Sequence, residues 1–144
     1  MAQRKKRRKS KGSSGSNRKT GAEFLDQNSR KEGIHETDSG LQYQVIDEQE
    51  GQSPGLEERV KIHQRALLLD GKVLEDTYRQ NKPDEVRLKE MIEGLQEGLQ
   101  LMHAGSRYKF WIPPELGWGK KGSGNKIPPQ AVIVFDIRLL EIID

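Results

Sequence analysis

Two double prolines bracket a glycine-rich loop near the end of this chain. Pro113-Pro114 and Pro128-Pro129 flank ELGWGKKGSGNKI, within a stretch that reads WIPPELGWGKKGSGNKIPPQAVIVFDIRLLEI from Trp111 to Ile142. Proline cannot donate to a β-ladder and is confined to strand ends and edges. One strand therefore ends at the first pair, and a long apolar strand starts after the second. The loop between them must cross one rim of a sheet. Trp118 stands in that loop between Gly117 and Gly119, where neighbouring backbone can approach closely. This is the pattern of a lip over an apolar pocket.

Most of the chain before this stretch reads with period two, the signature of half-buried strands. Leu41, Tyr43 and Val45 alternate with polar residues after Ser39, and residues 51–55 form a loop. Arg59 to Leu69 reads as a long strand with Val60, Ile62, Ala66 and Leu68 on one face, interrupted by Gln64. Asp70-Gly71 is a hairpin turn, and Lys72 to Asp76 begins the return. Arg79 to Asp84 reads as a polar loop, after which Val86-Arg87-Leu88 resumes the strand. Tyr108, Phe110 and Ile112 alternate inward, as do Ile133, Phe135, Ile137 and Leu139.

Against this β pattern stands one helix, predicted over Lys89 to Met102 and ended by Gly105. Met91, Ile92, Leu95, Leu99 and Met102 recur on one face at helical spacing. Gly94 and Gly98 inside it each cost about 1 kcal/mol against alanine, so the helix must lie close against another surface. The fold class is α+β: a curved antiparallel sheet of about five strands wrapped around one short helix.

A chain of 144 residues holds one such domain. Nine of its 25 basic residues and none of its 22 acidic ones fall in residues 1–20, which leaves the remainder with 16 against 22. Residues 1–20 read as a disordered basic tail, unable to bury enough apolar surface to offset chain entropy. Residues 21–38 read as a lead-in and linker, with a short helix at about 21–31 behind the capping-box spacing Thr20-x-x-Glu23. Residues 39–144 form the domain. The tail offers a polyanion contact (RNA, DNA or ribosome) through residues 4–19 by phosphate neutralisation; the alternative is a solubilising tail. No aromatics interleave its charges, so such a contact would be indifferent to sequence.

The absence of cysteine excludes disulfides and thiolate chemistry. No apolar run reaches the roughly 18 residues of a membrane span, and no apolar stretch follows the basic start. The expectation is a cytoplasmic, monomeric protein with no membrane association. The three histidines are scattered and no Ser/His/Asp set stands out, so neither a metal nor a cofactor is expected.

The segments SGLQYQVI, Asp70-Gly71, MIEGLQEGLQLMHAGSRYKFWIPPELGWG and IPPQAVIVFDIRLLEI together resemble the FKBP-type peptidyl-prolyl cis-trans isomerases, over roughly residues 24–144. FLDQNSRKEGI resembles the lead-in of bacterial members. The resemblance implies the same fold and rotation about Xaa-Pro bonds in proline-containing polypeptides, without a cofactor. It implies that Phe135 forms a pocket wall and that the Ile92 N–H faces the substrate carbonyl. Met91 and Ile127 become apolar neighbours, and Trp118 replaces a tyrosine that donates to the ligand.

The opposite wall departs from the family pattern. Leu95 stands for the tryptophan floor, Gln64 for a tyrosine, and Leu74-Glu75 for a Phe-Asp pair. Asp84 stands for a phenylalanine, with Val86 keeping apolar character nearby. Each lost ring weakens proline docking by about 1 kcal/mol. The catalytic set implied is Phe135, Ile92, Trp118 and Glu75, with Gln64, Leu74, Val86, Met91, Leu95 and Ile127 binding substrate. Two activities remain open: a weak isomerase, or a peptide-binding chaperone module with little turnover. Glu75 is either a pocket acceptor or a solvated charge, and Phe135, Ile92 and Leu95 would be core residues in either case.

Overall fold

The computed structural model describes residues 14–144. A helix, α1 (Ser14–Asn28), precedes a seven-stranded sheet. Its strands are β1 (Ile34–Glu36), β2 (Gln42–Asp47), β3 (Arg59–Leu68), β4 (Val73–Asp76), β5 (Asp84–Arg87), β6 (Arg107–Ile112) and β7 (Ile133–Ile142). Two further helices are α2 (Thr77–Gln80) and α3 (Glu93–Leu101). The strand order is β1-β2-β6-β7-β3-β4, with β5 also on β3, and every pairing is antiparallel. The α+β architecture is as expected, but the sheet has seven strands rather than about five.

The alternation in β7 sets the core. Ile133, Phe135, Ile137 and Leu139 are buried on its inner face, opposite Phe110 and Tyr108 of β6 and Ile62 and Ala66 of β3. The inner face of the sheet packs on α3, whose Leu95 and Leu99 are buried. Each contributes about 1.5–3 kcal/mol by leaving water. The helix glycines have the role their cost predicted. A Cβ at Gly94 would come within 2.7 Å of the Ile112 side chain, and one at Gly98 within 2.6 Å of the Phe110 ring. The helix is shorter than the predicted Lys89–Met102, because Leu88–Glu90 is a 3₁₀ turn and Ile92 is the extended N-cap of α3.

Trp111 and Val134 are register partners, buried but outside the inner cluster. They lie on the other face of the sheet, which α1 spans. Gly21 of α1 approaches Val132 so closely that a Cβ there would meet it at 2.9 Å. The Asn28 amide donates to Gln42 Oε1 at 2.8 Å, and Gln42 Nε2 donates to the Leu25 carbonyl at 2.9 Å. These contacts correct the N-terminal reading. Residues 14–20, expected to be disordered, form the first turns of α1, and Thr20 lies inside the helix rather than at its cap. Residues 1–13 of the tail lie outside the described residues.

A second correction concerns residues 77–84. Thr77–Gln80 is helical, with Asp76 accepting from the Arg79 N–H and Asn81 ending it in the left-handed region. Asp84 begins β5. Among the described residues no helix is long and apolar enough to cross a membrane.

Candidate active site

A cavity of about 470 Å³ opens between α3, the flap and the β3–β4–β5 edge of the sheet. Phe135 of β7, a strand paired on both sides, forms part of its wall and is buried in the core cluster. Leu95, in the first turn of α3, lines the cavity with Ile92 and Met91. Trp118 and Ile127 come from the two arms of the flap. Gln64, Leu74, Glu75 and Val86 come from β3, β4 and β5. All ten residues singled out from the sequence therefore line one cavity.

The flap is closed by its own backbone. Ser123 and Ile127 exchange N–H···O=C bonds of 2.8 and 3.1 Å, and the Gly122 N–H donates to the Trp118 carbonyl at 3.2 Å. Gly119, Gly122 and Gly124 all lie in the left-handed region that glycine adopts without strain. Trp118 is half-buried, and packs on the apolar cluster while lining the cavity. It is thus lip and core edge at once.

Ile92 contributes more than a side chain. As the N-cap of α3 it has an extended backbone, and its carbonyl accepts from Leu95 and Gln96 at 3.0 Å each. Its own N–H makes no backbone hydrogen bond among the described residues. An unpaired donor at the mouth of an apolar cavity is available to a ligand carbonyl.

On the opposite wall a β-bulge decides what faces inward. The register of β3 with β4 runs Ala66↔Glu75 and then Leu67↔Val73, which leaves Leu74 unpaired. Two residues opposing one let Leu74 and Glu75 both line the cavity, although strand alternation would send one outward. Glu75 is exposed. Gln64 Nε2 donates to Asp84 Oδ2 at 2.9 Å. Asp84, read from the sequence as standing in place of a pocket phenylalanine, does not line the cavity. Its carboxylate is turned to Gln64, and Val86, two residues on in β5, lines the cavity instead. The Gln64 backbone is fixed in turn by Thr77, whose buried hydroxyl accepts from the Gln64 N–H at 2.7 Å.

Four lining residues were not assigned from the sequence: Ala66, Glu90, Ser123 and Lys126. Ala66 lies two residues from Gln64 on the same strand face, so period two would have found it. Glu90 ends the 3₁₀ turn before Met91 and is off the apolar stripe of the predicted helix. Lys126 adjoins Ile127 but reads as one of several flap lysines.

The model of the family described as FKBP-type peptidyl-prolyl cis-trans isomerase matches residues 50–140, and that of the domain amino-terminal to such isomerases matches residues 1–45. The FKBP-type 22 kDa peptidyl-prolyl cis-trans isomerase of Escherichia coli is 40% identical over 85% of this chain and 60% of its own length. The FkpA isomerase of Aeromonas hydrophila is 42% identical over 88% of this chain and 47% of its own. The chain thus spans about half the length of the curated relatives it matches. The crystal structure of FkpA from E. coli superposes with a TM-score of 0.86 at 33% identity, covering 90% of this chain and 60% of that one. A peptidyl-prolyl isomerase structure from Pseudomonas syringae gives 0.85 at 26%, covering 91% and 96%. The sheet wrapped on α3, the cavity under the flap and these matches lead to one conclusion: the chain belongs to the FKBP-type peptidyl-prolyl cis-trans isomerase family.

Proposed function

We propose that this domain catalyses cis-trans isomerisation of Xaa-Pro bonds in polypeptides. The observation that carries this reading is the meeting of ten residues in one largely apolar cavity, with the unpaired Ile92 N–H beside it. Uncatalysed rotation takes tens to hundreds of seconds, because amide resonance sets a barrier of about 20 kcal/mol. A proline ring seated against Phe135, Leu95 and Ile127 is held by apolar burial. The twisted amide has lost resonance, and its less polar carbonyl tolerates a dry site better than the planar form does. A cavity that prefers the twisted form lowers the barrier by differential binding. The Ile92 N–H and the Trp118 indole N–H, both donors, orient the substrate carbonyl. Glu75, exposed at the rim, takes the acceptor role.

This mechanism moves no proton, so turnover should be level from about pH 6 to 9, in contrast to the bell-shaped profile of acid–base catalysis. Cis-to-trans rates of Xaa-Pro tetrapeptides at micromolar protein test the proposal. Rates equal to those in buffer for every Xaa would overturn it. The aliphatic and polar wall at Gln64, Leu74 and Val86 favours weak turnover. It also supports a chaperone role in which extended segments are held with little rotation. Suppressed aggregation of an unfolded client in the absence of isomerase activity would select that role.

The basic N-terminal residues form a polyanion contact in this reading, and the domain acts as a cytoplasmic monomer. Absence of cysteine is in keeping with a reducing compartment. Salt-sensitive RNA retention lost on removing residues 1–13, sedimentation, and cell fractionation test the three points in turn.

A further inference from the structure

A second cavity, about 690 Å³, adjoins the first, and Lys126 lines both. Its walls come from α1, from the turn between β3 and β4, and from the segment that leads the flap into β7. Two of these walls, α1 and the segment leading into β7, are tied to each other. Asn17 Nδ2 donates to the Pro129 carbonyl at 2.9 Å, and Gly21 rests on Val132. The groove between helix and flap is therefore preformed, as ligand sites generally are. Gln130, within it, adopts a left-handed backbone at φ 58°, held by its N–H donating to the Gly119 carbonyl at 2.8 Å. A non-glycine residue kept in this region marks a place where the fold carries strain, and such places cluster at ligand sites.

The chemistry of the groove is that of a peptide clamp. Leu69 and Pro129 line it together with the side chains of Asn125, Gln130 and Thr20. Side-chain amides both donate and accept, as a peptide backbone does. An extended chain advances about 3.3 Å per residue, so a segment leaving the first cavity past Lys126 enters the second within a few residues.

We propose that this groove holds the residues flanking the isomerised proline, so that the domain has an extended site favouring unfolded chains over short peptides. The inference rests on the isomerase reading of the first cavity. Thr20, exposed on α1, is the residue to alter, as Thr20→Tyr to fill the groove and Thr20→Ser as the conservative control. The substrates are a tetrapeptide and a peptide of about twelve residues with the same central Xaa-Pro, long enough to span both cavities when extended. Thr20→Tyr should leave the tetrapeptide rate unchanged and lower kcat/KM for the long peptide by about tenfold, because binding energy from remote residues is lost. Thr20→Ser should retain both. Equal loss on both substrates, or no loss on either, overturns the proposal. Backbone amide NMR titration with the long peptide gives a readout independent of turnover. Shifts at Thr20, Asn125 and Gln130 support the groove; shifts confined to the first cavity overturn it. Should the tetrapeptide rate equal that in buffer, the isomerase reading falls and the titration alone decides the groove.

Discussion

The flap side of the cavity is shaped by backbone, whereas the side formed by β3, β4 and β5 is shaped by side chains. On the flap, three left-handed glycines, the Ser123–Ile127 bonds and the Gln130-to-Gly119 bond fix where Trp118 and Ile127 stand. Opposite, the same strands could carry rings or not. What lines the cavity there is Gln64, Leu74, Glu75 and Val86, with Gln64 tied to Asp84. A backbone-built wall leaves little room for substitution, because an added Cβ collides at Gly122 and the left-handed backbone of Gly119 and Gly124 strains any other residue. A side-chain-built wall can be rewritten with the fold intact. In this chain no ring lines the second wall, while the flap carries Trp118.

The largest break in that comparison should come from Gly122→Val. A Cβ at Gly122 would overlap the Ile127 carbonyl and come within 2.7 Å of the Pro128 backbone. The flap must then move, and a shift of about 1 Å in positioning groups can cost about 100-fold in kcat/KM. A loss within about twofold would show that the flap's closure does not set activity. Next in size, Leu95→Trp with Gln64→Tyr should raise tetrapeptide turnover by about tenfold, since each ring adds about 0.5–1.5 kcal/mol beyond its burial. No gain would mean that the missing rings at the α3 floor and the second wall are not what limits catalysis.

Smaller again, Gln64→Leu removes the donor to Asp84 and should cost about 1 kcal/mol in urea unfolding. An unchanged midpoint would show that water replaces the bond without loss. The smallest effect concerns two tyrosines that line neither wall. Burial, then the Asp136 carboxylate, push Tyr78 up to about 12, and burial with Glu48 does the same for Tyr108. An unfolded tyrosine ionises near 10. Between pH 10 and 12 the unfolded chain sheds protons that the folded chain keeps. These two groups therefore contribute fully below pH 10, and their contribution falls as pH rises through that window. Tyr78→Phe should make the decline of Tm between pH 10 and 12 shallower, and an unaltered slope would refute the assignment.

What the sequence made legible follows the same division. The prolines and glycines of the flap are backbone rules, so Trp118 could be set at the lip of a pocket before any coordinates, while Ile127 and Phe135 were brought to it by the resemblance to the family. The glycines of α3 were legible for the same reason, because their cost demands a close neighbour, and Ile112 and Phe110 are those neighbours. The start of α1 was not legible. Residues 14–20 are polar and carry glycine, and two of the contacts that anchor the helix, at Pro129 and Val132, lie more than a hundred residues away. Helix α2 has no apolar period to reveal it. The inward turn of both Leu74 and Glu75 depends on a bulge, and Asp84 is drawn out of the cavity lining by a single bond to Gln64. Register and side-chain pairing of this kind follow from three-dimensional packing, which strand alternation alone does not encode.

The sheet separates the chain's two tryptophans. Trp111 is 5% exposed on the face spanned by α1, with the Lys109 amine 5.3 Å from its ring, while Trp118 is half-buried over the cavity. The molecule therefore carries two optical reporters with different tasks. Under the proposed function, emission from Trp118 should follow substrate entry, and emission from Trp111 should follow exposure of the sheet's outer face. With each replaced in turn by phenylalanine, fluorescence reads occupancy on one face and docking of the helix on the other, without an added dye.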